Sequence, residues 1–461
     1  MRRLFRQPFW YTVAMNSSES ESVGTRGRDS YAALRLPQYR LFTIGRNISG
    51  AGDSMQAVVV GWELYARTHN TVTLGLVGLV QAAPILIFAL LAGHVADRYP
   101  RKLVAVTGQA LFAISSIALA VLSLCHAGIG WFYVCLFCGI SVRTFGNPAR
   151  TALLPQVVPM AYLGNAISWD TTIRRVAVMS GAALGGFLLD WSGRPIFIRY
   201  LPNLAHGVHG VHGEHRDGYP AVIYLMTAVL GLTSAVLLTR LSVKQATRVP
   251  KAPITWESLM GGIRYIRSTH IVLGTISLDL LAVLFGGATS LLPVYQKDIL
   301  HVGPEGLGWL RAAPSAGALI MAFVSAHLPP MRHPGRAMLW AVVGFGISTI
   351  VFGFSRSMPL SLAALVIVGG LDMVSVVVRQ TLIQTLTPDE MRGRVNAVNS
   401  IFINSSNEIG GFESGVLAHW TSPVFSVVSG GIASILITIY AAARWPALTN
   451  YNAHDTVETR N

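Results

Sequence analysis

Gly93-His94-Val95-Ala96-Asp97-Arg98-Tyr99-Pro100-Arg101-Lys102 closes one apolar run, Val72–Val95, and opens another, Leu103–Leu124. Each run is close to the ~20 residues that cross about 30 Å of hydrocarbon as a helix. The charged residues between them mark a turn at the membrane surface. Gly93 lets helices approach closely. Asp97 is an anion beside three cations, Arg98, Arg101 and Lys102, and can also face a helix N-terminus. Such a charge relay can latch one of two arrangements of neighbouring bundles and break in the other. The plain alternative is a basic loop that only anchors the spans.

The composition extends this reading to the whole chain. Of 461 residues, 52% are apolar and 12% charged, with a mean hydropathy of +0.50. A soluble domain carries roughly 25% charged residues, so there is too little charge here to cover soluble surfaces. Three Cys, and 45 Gly and 22 Pro without a period, exclude a disulfide scaffold and collagen. Apolar segments recur at about Leu41–Tyr65, Val72–Val95, Leu103–Leu124, Gly130–Phe145, Leu163–Leu189, Ala221–Leu241, Ile271–Pro293, Leu307–Leu328, Ala337–Phe354, Leu360–Leu382, Val395–Leu417 and Val424–Ala443. They lack the alternation of a membrane β-barrel, so an all-α polytopic membrane protein of twelve transmembrane helices is expected.

The basic residues orient the chain. With the N-terminus inside, inside segments hold 23 Lys/Arg and outside loops hold 6. This asymmetry predicts cytoplasmic termini in a plasma (inner) membrane. Because the net charge of +14 is spread over one side of a membrane, nucleic acid is not an expected partner.

The chain also repeats itself. Gln81-Ala82-Ala83-Pro84 matches Arg311-Ala312-Ala313-Pro314, Arg150…Pro159 matches Arg379…Pro388, and Asn165-Ala166-Ile167 matches Asn396-Ala397-Val398, at offsets of 229–231. These imply two six-helix pseudo-repeats, a transporter architecture in which two bundles rock about a central site. The expected organisation is a flexible arm (1–38), an N-terminal bundle (39–241) with an outside loop (192–220), a linker (242–268), a C-terminal bundle (269–445) and a tail (446–461).

The opening decapeptide resembles the G-x-x-x-D-R-x-x-R-[KR] signature of the major facilitator superfamily. Gly52-Asp53-Ser54-Met55-Gln56, Asn147-Pro148-Ala149-Arg150 with Leu154-Pro155, and Thr387-Pro388-Asp389-Glu390-Met391-Arg392-Gly393-Arg394-Val395 resemble its siderophore (enterobactin) exporter branch, which includes macrolide-efflux-like relatives. The resemblance covers roughly residues 35–445. It implies a non-enzymatic secondary transporter, without a cofactor, that exports a small organic molecule, a siderophore foremost, by proton-coupled alternating access. Its partners would be that substrate, protons and the lipid bilayer, with a monomer expected. Drug or macrolide efflux and metabolite uptake are the rival readings within transport. One departure bears on antiport: drug-antiporter relatives carry a Gly-Pro pair in span five, where this chain reads Ser180-Gly181-Ala182-Ala183-Leu184-Gly185-Gly186.

Charges inside spans cost about 2.5–3.5 kcal/mol each near the centre, so they mark a cavity or a paired partner. Span one offers Arg46, Asp53 and Gln56, and span four offers Arg143. Span five offers Asp170 and Arg174, which read as a self-contained i,i+4 pair. Span seven offers Asp279, span ten Asp372 and Arg379, and span eleven Asn404, Glu408 and Glu413. Asp53, Asp372 or Glu408 is the expected proton carrier, and Arg46 or Arg143 the expected contact for an anionic cargo. The bland reading of each acid is an interhelical ion pair.

The loop after span five carries His206, His209, His212 and His215, a weak candidate for Zn or Ni and the basis of a rival metal-sensor reading. Its glycines favour a flexible polar loop. Cys135-x-x-Cys138 falls inside a span and reads as packing. No G-x-x-x-x-G-K-[ST] is present, which argues against ATP-driven transport by this chain.

Overall fold

The computed structural model describes residues 31–194, 219–243, 256–327 and 331–451, apart from the side chains at 90, 97, 256–259 and 326. These residues form helices and short turns, with no strand among them. The spanning helices are α1 Pro37–Thr68, α2 Thr71–Arg98, α3 Arg101–Leu124, α4 Ile129–Val157, α5 Leu163–Ser192, α6 Pro220–Thr239, α7 His270–Phe285, α8 Pro304–His327, α9 Pro334–Phe354, α10 Met358–Leu386, α11 Asp389–Trp420 and α12 Pro423–Arg444. Twelve expected segments thus become twelve helices. Among the described residues, ten spans are long and apolar enough to cross a membrane by length and composition; α1 and α11 are not among them. The end of the molecule where α1 meets α2 is termed upper, and the end where α2 meets α3 lower.

Local chemistry sets the helix ends. The Asn70 side chain caps α2, accepting from the Val72 amide at 2.9 Å, and Ser422 caps α12, accepting from Phe425 at 3.1 Å. Proline opens α1, α6, α9 and α12, where its missing amide costs nothing. The repeat-related Pro84 and Pro314 sit inside α2 and α8. The short fourth segment is corrected: α4 runs on to Val157 through Pro148 and Pro155, since neighbouring helices can satisfy the backbone groups that proline frees. The seventh segment is corrected in the other direction. The α-helix stops at Phe285, and the chain continues through a 3₁₀ turn, a short α turn Leu292–Val294 and a π turn Tyr295–Ile299. Gly286-Gly287 lies at the break, and a Cβ on Gly287 would lie 2.7 Å from the Gly410 carbonyl oxygen of α11. Close backbone approach therefore fills the place of side chains.

The packing repeats along with the sequence. In the N half, α1 packs on α5 and α6, α3 on α4 and α6, and α2 on α4. In the C half, α7 packs on α11 and α12, α9 on α10 and α12, and α8 on α10. The halves meet through α2 against α11 and α5 against α8, a pair of contacts that exchange under a two-fold axis. Both crossings are glycine-lined in the upper half. A Cβ on Gly415 would come within 2.6 Å of Gly75, and one on Gly186 within 2.6 Å of Gly308. The small residues of span five pack closely: Gly181 meets Ala51, Gly185 meets Met55, and Gly186 crosses to the other half.

The outer faces are hydrocarbon-facing. Trp131, Trp309 and Trp420 are exposed near the upper end, and Tyr99, Tyr162 and Tyr440 near the lower end, as in the aromatic belts of membrane proteins. Outside the spans, residues 31–36 of the arm pack on the N half, where Ala33 is fully buried and its amide donates to Asn165 at 3.1 Å. The linker ends in a helix, Trp256–Ser268, that packs on α11, and Tyr265 donates to the Leu386 carbonyl at 2.6 Å. The short tail helix Pro446–Asn450 buries Leu448 against α9.

Candidate substrate and proton pathway

The polar residues of α1 form two stripes at heptad spacing, each pointing at different neighbours. Ser49, Gln56 and Glu63 face α3: Ser49 pairs with Gln109, Ser116 donates to Gln56 at 2.7 Å, and Ser123 donates to Glu63 at 2.7 Å. Glu63 is also met by Arg67 and by the Tyr224 hydroxyl at 2.8 Å. This ladder is internal to the N half and fully partnered, so Gln56 is turned away from Asp53 and spent on Ser116.

The second stripe, Arg46 and Asp53, diverges. Arg46 reaches α5, with Nη1 3.0 Å from Asp170 Oδ2. Asp170 therefore takes its cation from α1, and the expected local pairing with Arg174 is corrected: an interhelical partner displaces the i+4 neighbour. Asp53 instead meets α4, with Arg143 Nη2 2.9 Å from Oδ2. Its other oxygen, Oδ1, is buried without a hydrogen-bond partner. The Arg143 guanidinium also sits over the Phe112 ring at 5.8 Å. Below it, Arg150 is buried, donates to Asn147 at 2.5 Å and adds positive potential at Asp53.

The C half supplies the opposing wall. Glu408 of α11 faces Arg311 of α8 and, more weakly, Arg143 of the N half. Arg311 crosses between the halves, donating to the Ala57 carbonyl of α1 at 2.9 Å. Asp372 of α10 faces Arg175 of α5, whose guanidinium reaches Met373 Sδ at 3.0 Å. Side chains that feel or bond partners in the opposite half must border the gap between halves. Arg143, Glu408, Arg311, Asp372 and Arg175 thus border that gap, and Asp53 joins them through Arg143.

Asp279 and Arg379 do not join that set. They pair with each other across α7 and α10, and Ser375 donates to Asp279 at 3.0 Å. Asp372 and Arg379, seven residues apart on one face of span ten, thus meet different partners: Arg379 turns to α7. A crevice of about 10 Å³, on the scale of one water, lies between Asp279, Ser375 and Asp372. Glu413 accepts from Ser414 at 3.3 Å, and Asn404 is exposed on α11. A larger cavity of about 410 Å³ lies between α2, α3 and α4, lined by Leu103, Leu111 and Phe145 among others. It is lined by none of these charges.

In the loop between α2 and α3, Arg101 donates to the Ala152 carbonyl at 3.2 Å and Lys102 to the Leu241 carbonyl at 2.7 Å. These cations sit near the C-terminal ends of α4 and α6, where the helix dipole favours them, and they tie the turn to its own half. Gly93 lies within α2, Arg98 is exposed, and the Asp97 side chain lies outside the described residues. So do His206, His209, His212 and His215. Among the described residues, no group of three or more His, Cys, Asp or Glu could hold a metal ion.

The model of the Major Facilitator Superfamily matches residues 42–411. The chain belongs to the major facilitator superfamily. Members of this superfamily are transporters, not enzymes, and the chain is a multi-pass membrane protein of that kind. Among curated proteins it is similar to the enterobactin exporter EntS of Escherichia coli O1:K1 / APEC, 24% identical over 409 residues, covering 87% of this chain and 90% of the relative. It is equally similar to the EntS of Shigella boydii serotype 18 (strain CDC 3083-94 / BS512), with the same identity and coverage. Among solved structures it resembles a bacterial homologue of the human lysosomal transporter Spinster, with a TM-score of 0.69 and 15% identity over 90% of this chain and 97% of that one. It also resembles the nucleoside transporter NupG, with a TM-score of 0.64 and 12% identity over 90% and 100%. At such identities the structures speak to the superfamily fold alone.

Sequence reasoning missed three members of that set and of the ladder as functional positions: Arg311, Arg175 and Glu63. The signal was available, because each is an ionisable residue inside a span.

Proposed function

We propose that this chain exports a small organic molecule, with a siderophore as the first candidate, by proton-coupled alternating access. The observation that carries the reading is the set of charges that both halves contribute to the gap between them. Asp53–Arg143 comes from the N half and Glu408–Arg311 from the C half, and each feels the other. A carboxylate that loses its charge releases the cations it holds, so proton binding changes how strongly the halves attract. The likeness to enterobactin exporters favours export and a siderophore cargo.

In this reading, residues 39–241 and 269–445 move as two bodies. The excess of Lys/Arg on the lower side supports cytoplasmic termini in the inner membrane. The close glycine crossings at the upper end support taking this arrangement as the state open to the cytoplasm. Cargo enters from below, with Arg143 as contact for an anionic group. Protons arriving from outside neutralise Glu408, Asp53 or Asp372 in the opposite state. Gly93, Asp97 and Arg98 act as the latch at the lower end, on a turn that Arg101 and Lys102 fasten to the N half.

The test is transport in proteoliposomes with an imposed pH gradient, following proton movement and a ferric-free catecholate siderophore together. Asp53→Asn, Glu408→Gln and Asp372→Asn are expected to include at least one variant whose uphill flux is lost while cargo exchange without a gradient persists. Full gradient-driven flux in all three would sink the proton assignment.

A further inference from the structure

The exchange of partners at Asp170 leaves one cation over. Asp170 takes Arg46, while Arg174 is exposed and, among the described residues, has no hydrogen-bond or ion-pair partner. The groups that feel its charge are themselves cations, Arg46 of α1 and the adjoining Arg175. Arg175 is in turn poorly supplied with acceptors. Its Nη2 meets the Met373 thioether, a weak acceptor, and its Nε is buried without a hydrogen-bond partner.

The packing of α5 fixes where Arg174 stands. Asp170, Gly181 and Gly185 face α1, whereas Arg175 and Gly186 face the C half. Val176, Leu184 and Phe187 are exposed on the side turned to lipid. With 3.6 residues per turn, Arg174 falls at the edge of the α1 face that turns towards the C half, away from lipid. Val178, one turn on, is 37% exposed in the same sector. Gly181, two turns above Arg174, packs on Ala51, so Arg174 lies lower than Asp53. An unpaired guanidinium inside a span is tolerated where it borders a water-filled cavity.

We propose that Arg174 is a cargo-binding residue: flanked by Arg46 and Arg175, its guanidinium takes an acidic oxygen group of the cargo, a carboxylate or a catecholate. The assignment rests on the export reading above and deepens it, giving the cargo an anionic contact besides Arg143. A guanidinium presents paired N–H donors that match two oxygens of such a group. Three cations stand here against two carboxylates, Asp170 and Asp372, and the surplus draws an anion. Arg143 differs, since Asp53 already holds it. Cargo that enters from below meets Arg174 first.

The first measurement needs no cargo. The full-length protein in nanodiscs carries Val178→Cys, with Cys125, Cys135 and Cys138 replaced by Ser. It is labelled with an anionic methanethiosulfonate, the ethylsulfonate, and with a cationic one, the ethyltrimethylammonium. The neutral methyl reagent corrects for changes in exposure or folding. The ratio of anionic to cationic rates should be about tenfold higher with Arg174 than with Arg174→Gln, the effect of one unit charge a turn away. Arg174→Lys should keep the high ratio. The second measurement is transport of a ferric-free catecholate siderophore in proteoliposomes. Arg174→Gln should raise KM about tenfold with kcat largely kept, as for a lost charge-assisted contact, and Arg174→Lys should restore most of it. A rate ratio unchanged by Arg174→Gln overturns the proposal, and so does an unchanged KM. A protein that moves no siderophore counts against the proposed cargo instead, and the rate ratio then decides this proposal alone. Full gradient-driven flux in the Asp53, Glu408 and Asp372 variants leaves it untouched.

Discussion

Each half of the molecule pairs a carboxylate on its first helix with an arginine on its fourth, and the two pairs live in different media. In the N half, Asp53 and Arg143 keep 14% and 32% of their side-chain surface exposed, and one Asp53 oxygen has no hydrogen-bond partner. In the C half, Asp279 and Arg379 keep 5% and 3%, with Ser375 completing the carboxylate's contacts. The two pairs sit on corresponding helices, although the repeat offset sets Arg379 against Arg150 and not against Arg143. The C-half pair is the more deeply buried, and the N-half pair keeps more of its surface exposed. A group can exchange protons only where water reaches it, so under the proposed mechanism the N-half pair is the better candidate for coupling.

The comparison can be broken by stability measurements in detergent. Asp279→Asn leaves Arg379 buried and unpaired, and should cost roughly 3–5 kcal/mol of unfolding free energy. A loss under about 1 kcal/mol would mean that water already reaches the pair. The double change Asp279→Leu with Arg379→Met should recover most of that loss, because an apolar pair of similar volume replaces a buried ion pair at little or no cost. If the double variant were as unstable as the single one, packing rather than charge would dominate the site. Ser375→Ala should cost about 1 kcal/mol, the net worth of one buried hydrogen bond, detectable as a shift of the thermal midpoint. Asp53→Asn should move stability least, within about 1 kcal/mol, as expected of a partly hydrated pair. A loss equal to that of Asp279→Asn would erase the distinction between the halves.

Hydropathy made the twelve helices and the duplication legible, because a bilayer demands long apolar helices and a repeat preserves its offsets. Partner choice was not legible. The i,i+7 spacing of Arg46 and Asp53 put them on one face, yet helix neighbours draw them apart, one to Asp170 on α5 and the other to Arg143 on α4. Arg379 and Asp372 part in the same way. Spacing along one helix reports which face a residue shares. It does not report which neighbour that face meets, and the rotation of packed helices decides that. Arg311 was readable as a charged residue in a span, but its reach to the Ala57 carbonyl depends on how α8 crosses α1.

The break at Gly286-Gly287 bears on how the inherited copies can move. Where α1 is an unbroken rod of 32 residues, its repeat-mate is cut in two. The severed piece is stitched to its opposite number: Pro293 packs on Gly61, while Lys297 and Asp298 grip His69 and Tyr65. A rod transmits torque from end to end, whereas a cut one yields at the joint. That splinter belongs to one copy by descent and to the other by attachment, so the strokes of the two copies need not be mirror images.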